Sequence, residues 1–204
     1  MPSAFNSGAV VSLDVEGYLA FVVHKHRATR LHYDFRLEVG GVMPSWAIPK
    51  GPTLDSSVRR LAMPTGDHSL EYRHFEGSIQ AGEYGAGAVM IWDEGKYTPE
   101  REVEKGARVE ANSLEEAKKA AQEGLAAGMM KFRLYGTKLK GSFAIFRTKG
   151  LGGKDSWLMV KHRDAYTVPG YDANKFDFSA VSGHSIDQIA SKAGNDAGPS
   201  PVLS

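Results

Sequence analysis

His26, His32 and Asp34 place two imidazoles and a carboxylate within a single short stretch of chain. That donor set suits a divalent transition metal and leaves coordination positions open for water or a substrate oxygen. The segment His32-Tyr33-Asp34-Phe35-Arg36-Leu37-Glu38 alternates polar and apolar residues, which is the period of a strand. Successive strand side chains point to opposite faces, so His32, Asp34, Arg36 and Glu38 share one face while Tyr33, Phe35, Leu37 and Val39 share the other. A solvated face on a half-buried strand also alternates, but such faces favour Lys, Glu and Thr over a row of imidazole, carboxylate and guanidinium. His24 stands two residues before His26 and can share its face, so spacing leaves open which of the two is a ligand.

Groups that match phosphate lie around this segment. Arg36 shares its face, Lys50 sits in the turn Pro49-Lys50-Gly51-Pro52, and Arg60 follows Arg59. Arginine offers a fork for phosphate oxygens and lysine a point charge. His68, in Gly66-Asp67-His68, is placed to donate a proton to a leaving oxygen or to hold the phosphate, and Tyr72 follows it. Each of the cations alone is most often an ordinary surface group, but the flanking Pro and Gly fix Lys50 in a turn that directly follows the buried-looking strand Trp46-Ala47-Ile48.

The formal net charge of +1 does not by itself indicate nucleic acid, because wholesale phosphate binders carry a clear basic excess. The distribution says more: Lys25, His26, Arg27, Arg30, His32 and Arg36 are clustered, with Lys50, Arg59 and Arg60 close behind, which creates a local positive field. The absence of cysteine excludes disulfides and thiolate metal sites and suits a cytoplasmic setting. The Ala9-Val10-Val11 patch lacks a basic region before it and is followed by Asp14 and Glu16, so no signal peptide or membrane span is expected.

The elements that must position these groups are mostly strands. Strand composition marks Tyr18–Val23, His32–Val39, Val42–Ile48, Ala88–Asp93, Lys131–Tyr135, Ser142–Arg147 and Trp157–Lys161. Gly40-Gly41 makes a hairpin turn, and the turns around Gly85–Gly87 and Gly150–Gly153 separate others. The spacing predicts an antiparallel barrel or sandwich. One helix is expected from about Leu114 to Glu123, with Ser113 and Glu116 as a capping box and Gly124 as its stop. A weaker one spans Ser185–Lys192. Residues 1–17 read as a flexible arm, 18–170 as the catalytic domain and 171–204 as a tail with that short helix and a disordered end.

The series Phe21-Val22-Val23-His24-Lys25-His26, Arg30 to Glu38, and Ser45-Trp46-Ala47-Ile48-Pro49-Lys50-Gly51-Pro52 resembles the 3′-phosphoesterase module of bacterial DNA ligase D. The likeness continues through Asp67-His68-Ser69-Leu70-Glu71-Tyr72, Phe75-Glu76-Gly77-Ser78-Ile79 and Gly82-Glu83-Tyr84-Gly85-Ala86-Gly87, covering roughly residues 19 to 165. The resemblance implies a compact, mainly β antiparallel barrel with a crescent-shaped site on its inner face and one or two helices outside. It implies a manganese ion held by His26, His32 and Asp34, with Arg36, Lys50, Arg60 and His68 gathered around the scissile phosphate and Tyr72 nearby. The implied activity removes 3′-phosphates and 3′-terminal ribonucleosides from DNA ends, on primer–template or nicked duplexes, and leaves a 3′-hydroxyl. The implied setting is non-homologous end joining, beside a DNA ligase and end-joining proteins at the nucleoid.

Two features depart from that pattern. The usual acidic residue just before the Asp-His pair is here Gly66, and residues 1–17 offer only Asp14 and Glu16 where the module carries a longer charged arm. Both changes lead us to expect near-normal 3′-phosphate removal with weakened ribonucleoside removal. No ligase or polymerase motif is present, so the sequence corresponds to a free-standing module or to one excised from a larger enzyme. Two other readings of the residues differ in chemistry. A non-haem iron oxygenase shares the two-His, one-carboxylate set but calls for a distal second histidine and leaves Lys50, Arg60 and His68 unexplained. A non-catalytic nucleic-acid-binding barrel uses the basic cluster with Tyr33, Tyr72 and Tyr84 as a stacking groove and leaves the His-x-Asp pair idle.

Overall fold

The computed structural model describes residues 18–149 and 155–192. The arm 1–17, the Gly150–Gly153 turn and the end from residue 193 lie outside the described residues. The strands are β1 (Leu19–Arg27), β2 (Leu31–Leu37), β3 (Met43–Ile48), β4 (Arg59–His68), β5 (Gly77–Ile79), β6 (Gly87–Glu104), β7 (Ala107–Glu110), β8 (Met129–Gly136), β9 (Lys140–Thr148) and β10 (Ser156–Lys161), with helices α1 (Leu114–Ala127) and α2 (Ile186–Lys192). All pairings are antiparallel. The order β1-β2-β3-β4-β10-β9-β8-β6 closes into a ring because β6 also pairs with β1, while β5 and β7 add to β6. The mainly β, ring-like architecture with two helices agrees with the fold expected from the sequence.

Local chemistry explains the turns that hold this ring. Gly40 and Gly41 both have positive φ, 63° and 87°, and Val39 and Val42 exchange backbone hydrogen bonds of 2.9 and 3.3 Å across them. Two consecutive left-handed residues match the twist of a tight hairpin and are nearly free of cost only for glycine. Strand β4 was not expected, since Pro64 and Gly66 break any strand signal. The structure accommodates Pro64 because β10 pairs only with Arg59 to Ala62. Beyond Ala62 the strand has β3 alone as neighbour, and a residue without an N–H is tolerated at such an edge.

Helix α1 begins as expected: the Ser113 side chain accepts the Glu116 N–H at 3.2 Å. The Glu116 carboxylate reaches back to the Asn112 N–H at 2.8 Å. The stop differs. The helix runs past Gly124 to Ala127 and ends at Gly128, whose φ of 74° is left-handed and whose N–H caps the carbonyls of Gly124 and Leu125. Gly124 is instead a close-approach residue, since a Cβ there would lie 3.0 Å from the Met129 carbonyl oxygen.

The main core fills the ring. Phe35 is at its centre, with ring centroids 6.3 Å from Phe21, 6.4 Å from Trp46 and 5.8 Å from Phe132. Residues beyond 170 contribute to it: Tyr171, Ala173, Ile186 and Ile189 are buried in the same cluster. The Trp92 indole N–H donates to the Phe176 carbonyl at 2.8 Å, and buried Lys25 pairs with Asp177 at 2.9 Å. Among the described residues no helix is long and apolar enough to cross a membrane.

Candidate metal centre

Strand register sets out the site. In β1 and β2, His26 pairs with His32, His24 with Asp34 and Val22 with Arg36. Ala47 and Ser45 of β3 extend the last two rows, and Met63 and Thr65 of β4 extend them again. Paired residues point to the same side of a sheet, so His24, His26, His32, Asp34, Arg36, Ser45 and Thr65 share one face. The opposite face carries Phe21, Val23, Tyr33, Phe35 and Trp46 into the main core. The site therefore lies on the outer side of the ring and not on an inner face, because the interior is filled with aromatic side chains. A segment made of the 3₁₀ helix Leu70–His74, β5 and the turn 82–87 covers it and forms a cleft of about 260 Å³.

His26, His32 and Asp34 each offer a ligand atom, all within 4.8 Å of one another. His26 Nδ1 lies 3.7 Å and His32 Nε2 3.4 Å from the two Asp34 oxygens, close to the ~3.0–3.4 Å that separates ligand atoms on one transition-metal ion. The remaining ring nitrogens are engaged. His26 Nε2 donates to the Gly85 carbonyl at 2.8 Å and His32 Nδ1 to the Arg30 carbonyl at 2.9 Å. Backbone acceptors of this kind set the tautomer and leave the other nitrogen unprotonated toward the metal position. Burial alone would raise the Asp34 carboxyl, but the neighbouring His26 imidazole and the charge of Arg36 bring it down to about 2. Asp34 is thus an anion at neutral pH, and the residues present fit a divalent cation.

Of the two histidines that spacing left open, His26 lies in the cluster with His32 and Asp34. His24 is fully buried and accepts the Arg36 Nε–H on its Nδ1 at 3.1 Å, so it supports Arg36 and is not part of the cluster. Its pKa lies well below the ordinary value through burial and then the Arg36 charge. Arg36 itself donates from Nη1 to the Ser45 hydroxyl at 2.8 Å and from Nη2 to Asp34 at 2.9 Å. Its Nη1 also lies 2.9 Å from His68 Nδ1. With four donors directed at protein groups, one N–H of the guanidinium remains for a ligand.

His68 Nδ1 is also 2.9 Å from the Gly66 carbonyl. Burial first, then the Arg36 charge, lower the His68 pKa to about 4 against the opposing pull of that carbonyl. It is a neutral imidazole at physiological pH. Tyr72 is buried and stacks on His68 at 4.7 Å and on Phe75 at 5.4 Å, with the Arg36 guanidinium 5.2 Å from its ring centre. It forms the wall against which both polar groups are held.

Of the sequence-predicted residues, His26, His32, Asp34, Arg36, His68 and Tyr72 all line the cleft. Lys50 and Arg60 do not. Lys50 is exposed on its turn. Arg60 pairs with Met159 of the core, and its charge is felt by Asp55 and Asp172. Alternation along β4 instead turns Arg59 toward the side of the sheet that carries Thr65. Sequence reasoning missed Ser45, Thr65, Ile79 and the Gly85 carbonyl. Ser45 alone had a signal, the alternation within β3.

Comparisons with known proteins cover the same part of the chain. The family model described as the DNA Ligase D 3'-phosphoesterase domain matches residues 24–147, which include every residue that lines the cleft. The chain is 44% identical over 158 residues to the multifunctional non-homologous end joining protein LigD of Pseudomonas aeruginosa, covering 78% of this chain and 17% of that protein. It is 41% identical over 138 residues to the multifunctional non-homologous end joining DNA repair protein LigD of Mycobacterium tuberculosis, covering 68% of this chain and 15% of the relative. The corresponding protein of Mycolicibacterium smegmatis is 39% identical over 146 residues, 71% of this chain and 17% of the relative. The chain thus spans about a sixth of the length of these relatives. With the two histidines, the aspartate and their arginine on one strand pair inside the matched segment, the chain belongs to the DNA ligase D 3′-phosphoesterase domain family.

Proposed function

We propose that the protein is a manganese-dependent phosphoesterase that heals DNA 3′ ends, removing 3′-phosphates and, less efficiently, 3′-terminal ribonucleosides, in bacterial end joining. The observation that carries this reading is the junction of the His26–His32–Asp34 cluster with Arg36, whose guanidinium is fixed by four protein partners and keeps one donor for the cleft. A divalent ion held by those three residues supplies Lewis-acid polarisation of a phosphate ester.

The chain's own groups account for the rest. Arg36 is ordered before substrate arrives, so the charge it presents to a phosphate oxygen costs little reorganisation as negative charge grows. His68 is neutral, which fits a hydrogen-bond donor that steadies the leaving oxygen better than an imidazolium acid. The Arg36 Nη1 beside its Nδ1 favours the tautomer with the proton on Nε2. Tyr72 holds both in place. Lys50 and Arg60, outside the cleft wall, act on the phosphates of the approaching strand. The partners implied are DNA 3′ ends on primer–template or nicked duplexes and a ligase that uses the 3′-hydroxyl. The test is incubation of a labelled primer–template ending in a 3′-phosphate with protein and manganese. Release of phosphate that a chelator abolishes supports the reading, and no release in manganese, magnesium or cobalt overturns it.

A further inference from the structure

The cleft has two tyrosines on its wall, and they are built for different tasks. Tyr72 is buried with a ring on each side, from His68 and Phe75, so no face is left for a ligand. Tyr33 is buried in the core beside Trp92. Tyr84 is 71% exposed, more than any other large apolar side chain among the described residues, and it still lines the cleft that holds the metal ligands. No ring among the described residues packs against it. Its phenol lies within electrostatic reach of Arg36.

A lone exposed aromatic is common and by itself carries no meaning. Tyr84 differs because its backbone is fixed. The Ala86 N–H bonds to the Glu83 carbonyl at 3.1 Å and the Glu83 N–H to the Gln80 carbonyl at 3.2 Å, giving two successive turns around it. Gly82 and Gly85 on either side have positive φ, 96° and 80°. The next carbonyl, that of Gly85, receives the His26 N–H at 2.8 Å. At the end of the segment Gly87 approaches β1 so closely that a Cβ would lie 2.2 Å from the Arg27 carbonyl oxygen. An unburied ring held in a fixed turn beside a phosphate-binding arginine is a surface prepared for a flat partner.

We infer that Tyr84 is the platform on which the base of the 3′-terminal nucleotide stacks while its phosphate enters the cleft. This rests on the proposed end-healing activity and names how the strand end is held. Stacking on an aromatic face is tolerant of base identity, as a protein acting on ends of any sequence requires. It supplies binding rather than chemistry.

The test uses a duplex whose 3′-phosphorylated primer ends in 2-aminopurine, titrated with protein in a chelator so that no turnover occurs. The wild-type protein quenches the fluorescence, Tyr84→Leu loses the quench and binds about tenfold more weakly, and Tyr84→Phe keeps both, as loss of a single base–aromatic stack predicts. A primer ending in an abasic 3′-phosphate binds wild type and Tyr84→Leu equally. Unchanged binding and quench in Tyr84→Leu overturns the inference, as does loss in Tyr84→Phe, which would assign the effect to the hydroxyl. An equal loss on the abasic end also overturns it. Wild-type quenching without phosphate release in manganese would sink the end-healing reading and leave the stacking platform standing.

Discussion

Arg36 on β2 and His24 on β1 form a buried hydrogen bond of 3.1 Å in which the imidazole Nδ1 is the acceptor. Its accepting lone pair is taken by the guanidinium, and it therefore stands behind the site as a support outside the His26–His32–Asp34 cluster.

Replacing His26, His32 or Asp34 with Ala should abolish activity and stoichiometric metal binding together. The two histidine variants should keep the fold, read by far-UV circular dichroism. Asp34→Ala should also lose stability, by about 3 kcal/mol, because it leaves the buried Arg36 charge without its anion. Wild-type turnover in His32→Ala would dismiss the cluster as the metal site.

Arg36 and the two outlying cations should separate kinetically. Arg36→Ala should lower kcat by at least about 100-fold, since a fixed charge beside the developing anion is lost. Lys50→Ala and Arg60→Ala should instead raise KM, and the defect should shrink at low ionic strength. A salt-independent fall in kcat for Lys50→Ala would place that side chain at the scissile phosphate.

Stability of the metal-free protein should decline as pH falls from about 6.5 toward 4. His162 is shifted to about 4 by burial and by the neighbouring Arg108 charge, and its Nδ1 lies 2.8 Å from the Ser142 hydroxyl. Its folded value is below the unfolded one, so the unfolded chain binds the extra proton in that window. The contribution is complete above 6.5 and is lost as pH drops through 4. For a partly exposed group solvent screening leaves about 1 kcal/mol. His162→Gln should flatten the slope of the thermal midpoint between pH 4 and 6.5; an unaltered slope would mean that other groups dominate.

Gly66→Glu should increase ribonucleoside removal relative to 3′-phosphate removal. A Cβ at Gly66 meets nothing within 4 Å, so a longer acidic chain fits, and it would place an acceptor for a 2′-hydroxyl two residues from His68. Side-by-side rates on primers ending in one ribonucleotide and in a 3′-phosphate give the ratio. A variant ratio equal to wild type, or equal wild-type rates on both ends, would remove the role assigned to this position.

Much of the site was legible because β2 is a strand whose two faces differ chemically, and its alternation sorts His32, Asp34 and Arg36 from Tyr33, Phe35 and Leu37. The antiparallel partner then brings His26 opposite His32. What stayed hidden depends on distant pairing. The face of Arg60 follows from the register of β4 on β10, and β4 itself is masked by Pro64 and Gly66. The Gly85 carbonyl that orients His26 belongs to every residue's backbone and leaves no mark in side-chain type. Gly124 shows the same limit: a glycine required by a neighbouring strand has the appearance of a helix stop.

The strap of residues 171–192 has a consequence for where this fold can be joined to other sequences. Tyr171, Ala173, Ile186 and Ile189 complete the core, and Asp177 neutralises a lysine that is otherwise shut away from water. A fusion junction or proteolytic nick near residue 170 would therefore cut through the hydrophobic interior and leave Lys25 without its counter-ion. A junction after Lys192 would leave each of these contacts in place.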